Sequence, residues 1–183
     1  MINFLINLVS SEFLYGVIIG VALTLLGSHL TLKNQLNLQK DTVKKFCEDT
    51  VHNISEYIKN LNDYRDRSQT IDSEFIDLVD VEIIVYGRNR EHLIHIKNKD
   101  TRKSIRDFFT DVTIQVSRIR NNLSFFQNEM DRRNQFPINS AQYSLHQRNA
   151  TEFLNKAHAC CDKLVTLGNQ KESLIRNLNE NFE

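Results

Sequence analysis

Two histidine-bearing stretches hold the side chains best suited to chemistry. In Glu91-His92-Leu93-Ile94-His95 the imidazoles stand three residues apart, a spacing that sets two ring nitrogens on one helix face, as a metal site requires. Two further ligands would have to come from elsewhere, the stretch is neither H-E-x-x-H nor H-x-x-E-H, and its neighbours are cationic. In His158-Ala159-Cys160-Cys161-Asp162 a helix would bring Cys161 near His158, where an imidazole lowers a thiol pKa. The same cysteines continue an apolar series with Ala157 and Leu164, and a buried cysteine behaves as a small hydrophobe. The sequence has no glycine-rich phosphate loop, G-x-S-x-G elbow or C-x-x-C pair. The expectation is a protein that is not an enzyme, with no catalytic, metal or cofactor site and no small-molecule substrate.

The elements that carry these groups read as helices. Five Gly, one Pro and no Trp in 183 residues leave too few turn residues for a β-rich fold, and 40% apolar content argues against disorder. Lys and Arg number 23 and Asp and Glu 23, so the basic excess of a phosphate-neutralising nucleic-acid binder is absent and no nucleic-acid partner is expected. Three cysteines, two of them adjacent, give no disulfide framework and fit reduced thiols in the cytosol.

Residues 13–32, FLYGVIIGVALTLLGSHLTL, contain no Lys, Arg, Asp or Glu. A helix of that length spans roughly 30 Å, the thickness of a bilayer's hydrocarbon core, so one transmembrane helix is expected. No positive charge precedes the run and no small-x-small cleavage site follows it, which favours an uncleaved anchor over a signal peptide. Only Glu12 precedes the run, whereas Lys33, Lys40, Lys44 and Lys45 follow it with Asp41. The positive-inside rule then puts the N-terminus outside the cell membrane and the C-terminal domain in the cytoplasm. Gly16 and Gly20 form G-x-x-x-G, and Gly27 follows Gly20 by seven residues, a small-residue face on which two spans would approach closely. His29 is read as interfacial. Residues 1–12 read as a short interfacial helix or an outward extension of the span, with Ser10 or Ser11 as its cap.

Residues 33–183 read as a helical bundle with helices at about 33–66, 71–86, 88–133 and 140–180, the third with a weak point at Asn98–Asp100. Gly87 is expected past the second helix, at its left-handed end position. Thr70 is expected to cap the second helix, with Asp72 and Glu74 favoured by its positive end. The clearest periodicity is Ile105, Phe109, Val112, Val116, Ile119, Leu123, Phe126 and Met130, a heptad seam broadened by Phe108 and Phe125. Asn139 with Gln142 resembles a capping box that Ile138 would staple. The expected fold is therefore all-α, a single N-terminal transmembrane helix continuing into a long-helix antiparallel bundle with coiled-coil character.

Charge is segregated along the chain. Asp72, Glu74, Asp77, Asp80 and Glu82 carry no base among them, whereas Arg88, Arg90, Lys97, Lys99, Arg102, Lys103 and Arg106 are interrupted only by Glu91 and Asp100. Such faces are usually solvated or paired within a bundle; the sharper reading is a basic surface for anionic head groups or an acidic partner. These features lead to the expectation of a membrane-anchored scaffold that forms a homo-oligomer and binds a protein partner. The alternative is a membrane effector, pore-forming or lysis-linked, that acts by clustering its span. One span with a long helical stalk resembles phage inner-membrane spanins in outline, without any motif specific to them. That resemblance implies a periplasmic helical part, on the side opposite to the one the flanking charges indicate.

Overall fold

The computed structural model describes the backbone of residues 2–68, 71 and 73–181, and the side chains of 17–63, 71, 73–94 and 96–180. Among the described residues the chain is helical with no strand: α1 (Ile2–Ser68), α2 (Ser73–Asn89), a 3-10 turn (Arg90–His95), α3 (Lys99–Arg133), α4 (Ala141–Gly168) and α5 (Lys171–Asn181). It divides into two compact units, Met1–Thr42 and Val43–Glu183.

The first unit contains the apolar part of α1. From Val17 to Leu32 it carries no formal charge, every side chain is exposed, and the helix is long and apolar enough to cross a membrane. The hydroxyls of Thr24, Ser28 and Thr31 donate to the carbonyls of Gly20, Thr24 and Gly27 at 2.8, 2.8 and 2.9 Å. Each is thereby satisfied inside its own helix, which is what a hydrocarbon environment demands of a hydroxyl. The interfacial packing expected of residues 1–12, the Ser10 or Ser11 cap and the side chains of 13–16 lie outside the described residues, as do Thr70 and Asp72.

The second unit is a helix-on-helix bundle, and its dominant packing is α3 against α4. Residues 134–140 form a short connection, so the two helices run antiparallel, and Phe125 stacks on Phe153 with ring centroids 5.1 Å apart. Beyond a break at Asn169, α5 continues along α3, burying Leu174 and Leu178. α2 also runs antiparallel to α3: Tyr86 near its end stacks on Phe109, while Asp77 near its start meets Arg120. α1 supplies Val43, Cys47, Val51, Ile54, Ile58 and Leu61, recurring every three or four residues and all buried in the common core.

The heptad seam is this core's backbone. Ile105, Phe109, Val112, Val116 and Ile119 are buried, whereas Leu123, Phe126 and Met130 are half-buried. The change falls past Arg120, the level of the first turns of α2, so that helix no longer covers the seam.

The helix boundaries differ from the sequence reading in four places, each for a local reason. α2 runs through Gly87 to Asn89, so this glycine is a helix-interior residue and not an end cap. The chain does not restart as a helix at Arg88 but tightens into the 3-10 turn, which buries Leu93 and delivers Ile96 to the core in an extended conformation. Asn98, at the expected weak point, then starts α3, its side-chain oxygen accepting from the amides of Asp100 and Thr101 at 2.8 and 3.2 Å. Ser140, not Asn139, caps α4 by accepting from the Tyr143 amide, and Ile138 is 75% exposed, so no staple forms. The last helix is split at Asn169, where α4 yields to α5.

Gly87 and Gly168 form an internal comparison. A Cβ on Gly87 would meet nothing within 4 Å, whereas one on Gly168 would sit 3.3 Å from Cγ2 of Ile58, itself buried. Gly87→Ala is expected to stabilise the bundle by about 0.5–1 kcal/mol through helix propensity. Gly168→Ala is expected to lose about 0.5–1 kcal/mol, because the packed Ile58 must shift. Urea unfolding followed by circular dichroism checks both; equal gains at the two sites would refute the close approach.

Candidate functional site

The sequence-level basic surface is partly gathered into a cleft. The capped start of α3 sets Arg102 and Arg106 one turn apart, and the 3-10 turn brings Arg90 to the same place. Together with Tyr86, Glu91, Leu93, Ile94 and Thr110 they line a cleft of about 760 Å³. Arg102 is half-buried and fixed, its Nη1 donating to the Ile96 carbonyl at 2.7 Å. Arg90 and Arg106 are exposed and make no ion pair among the described residues. Burial pushes the Tyr86 phenol above its usual value, with the neighbouring Cys47 sulfur adding and the charges of Arg106 and Arg90 opposing. Arg88, Lys97, Lys99 and Lys103 belong to the same segment but do not line the cleft.

Three acids of the acidic segment have partners other than these arginines. Asp77 and Asp80 are both taken by Arg120 of α3, and Glu82 accepts from Asn53 of α1 at 3.0 Å. For Asp77, Asp80 and Glu82 the segregation in the sequence is preserved, since their partners lie outside the basic stretch.

The other candidates stand in different surroundings. His92 is exposed, and His95 lies outside the described side chains. Among the described residues no three His, Cys, Asp or Glu side chains gather where a metal ion would be held. Cys160 and Cys161 are buried in the core next to Leu164, while His158 is half-buried and Asp162 exposed. Cys47 is fully buried, and burial, aided by the charge of Glu48, pushes its thiol up to about 12. It stays protonated at neutral pH and is a poor nucleophile. A Cβ on Gly20 or Gly27 would meet nothing within 4 Å, so both positions are open; the surroundings of Gly16 lie outside the described residues.

One cluster was missed by the sequence reading. Glu129 of α3, nearly buried, accepts at Oε2 from His146 Nδ1 at 2.9 Å and from Asn149 Nδ2 at 3.1 Å, and at Oε1 from Arg132 at 3.2 Å. His146 in turn stacks on Phe136, with centroids 5.5 Å apart. A signal was available: Glu129 and His146 lie eight and nine residues either side of Pro137, so folding the two helices back at that proline places them opposite each other.

No protein-family model, curated protein or solved structure matches this chain. Fold and site define its class: a helical bundle with one candidate membrane-spanning helix and a basic cleft at the start of α3.

Proposed function

We propose that this protein is a non-enzymatic, single-pass membrane scaffold that self-associates through its span and tethers a protein partner at its bundle. Residues 13–32 lie in the cell membrane, the N-terminus is outside and residues 33–183 form a cytoplasmic domain with coiled-coil character. The observation that carries this reading is the wholly exposed apolar surface of Val17–Leu32, which a bilayer would cover. The flanking lysines support the orientation.

Self-association is read from the open faces of Gly20 and Gly27, seven residues apart and so on one side of the helix. Cross-linking in intact membranes is expected to trap homo-oligomers, and Gly20→Ile with Gly27→Ile to reduce their yield about tenfold, as loss of a transmembrane packing face worth roughly 1–2 kcal/mol predicts. Unchanged cross-linking in the double variant would overturn the role of these glycines. Release of the protein from membranes without detergent would overturn the tether itself.

The same open glycines favour a second reading, a pore-forming or lysis-linked effector that acts when its spans cluster. Expression separates the two. An effector arrests growth and loses toxicity with the glycine substitutions, whereas a scaffold leaves growth unchanged and co-purifies with a partner.

A further inference from the structure

We propose that the cleft between the Arg90–His95 turn and the start of α3 binds a phosphate monoester through Arg90, Arg102 and Arg106. Three arginines line one cleft whose only acidic lining residue, among the described residues, is Glu91, so these side chains sum to a charge of +2. A phosphate monoester carries about −1.5 to −2 at neutral pH and matches that charge, whereas a single carboxylate leaves half of it uncompensated. Guanidinium forks also suit the geometry of phosphate oxygens, which accept paired N–H bonds.

The cleft is built as well as charged. Arg102 is held in place by its bond to the Ile96 carbonyl, and the arginine-bearing turn is pinned by the buried Leu93 and Ile96. Tyr86 and Thr110 add hydroxyls to the lining, and Tyr86 is itself fixed by its stack on Phe109. Leu93 and the exposed Ile94 provide an apolar wall for the organic part of a ligand. At about 760 Å³ the cleft falls within the roughly 300–1,000 Å³ usual for small-ligand sites. Asp77 and Asp80 are engaged by Arg120, and Glu82 bonds Asn53, so these three acids do not compete for the arginines.

The monoester has two possible sources, a soluble metabolite or a lipid head group. The test uses the full chain in neutral detergent at constant ionic strength. Titrations with inorganic phosphate, glycerol 3-phosphate and phosphatidic acid in mixed micelles are followed by 31P NMR, with acetate as the control anion. Saturable phosphate binding is expected, weakened about tenfold or more by Arg106→Gln, which breaks no bond in the free protein, and likewise by Arg102→Gln. Lys103→Gln, on the same helix but outside the cleft, is expected to change it less than about twofold. Binding of both soluble and lipid monoesters assigns recognition to the phosphate alone; binding of phosphatidic acid only assigns it to a lipid head group. Absence of saturable binding by every monoester, equal affinity for acetate, or an equal loss with Lys103→Gln would overturn the proposal. Cross-linked oligomers are scored separately, so failure of this site leaves the scaffold reading untouched.

Discussion

Phe109→Ala is expected to destabilise the bundle by about 3–5 kcal/mol, the largest effect of any single side-chain truncation considered for this chain. The ring is 1% exposed, stacks face to face on Tyr86 at 3.6 Å and 3°, and forms a T-shaped pair with Phe108 at 5.4 Å and 86°. Its removal opens a cavity at a level where α2 and α3 meet, and the flanking rings cannot collapse into it without abandoning their own contacts. A domain of this kind has about 5–15 kcal/mol in total, so the loss is about a fifth of it or more. Phe109→Leu keeps most of the volume and is expected to cost less than about 1.5 kcal/mol. Urea unfolding of the full chain in detergent checks both. Similar midpoints for Phe109→Ala and the parent would show that the aromatic stack is not a core element. Because Tyr86 lines the basic cleft, the alanine variant is also expected to weaken phosphate binding, whereas Phe109→Leu retains it.

The seam that contains Phe109 was legible because its information is redundant: eight apolar residues repeat with one period, and any one could be lost without changing the reading. The apolar run of α1 was legible for the same reason. Boundaries rest on single residues whose signals compete. Gly87 satisfies an end-cap rule, but the apolar face of α2, with Ile76, Val79 and Tyr86 buried, continues to it and outweighs a penalty of about 1 kcal/mol. Asn98 overrides the helical spacing of residues 88–99 because its side chain competes for the first amides of α3, while Ile96 is drawn into the core. The basic cleft was half legible. All seven cations were evident, but which three line one cleft depends on the turn that sequence reading missed.

The Glu129 cluster shows how a group invisible to periodicity still shapes the fold, and Glu129→Ala is expected to cost about 1.5–3 kcal/mol at neutral pH. The substitution removes one acceptor and strips His146, Asn149 and Arg132 of their common partner, at 2.9, 3.1 and 3.2 Å. His146 is 17% exposed and Glu129 10%, so water restores little of what His146 loses, whereas Arg132, 65% exposed, is readily resolvated. The pH dependence has a definite sign. Hydrogen bonds from His146 and then Asn149 hold the Glu129 carboxyl below its ordinary value of 4.5, against the opposing effect of burial. A carboxyl whose folded pKa is depressed binds fewer protons in the folded than in the unfolded chain. Its contribution is complete above the unfolded value and fades as pH falls through 4.5 towards the lower folded value. The stability difference between the parent and Glu129→Ala is therefore expected to shrink as pH falls below about pH 4.5. Urea unfolding at pH 7, 5.5 and 3.5 measures it. A difference that stayed the same at pH 3.5 would mean that the carboxylate charge does not hold the α3–α4 hairpin, and that Glu129 acts there only by filling space.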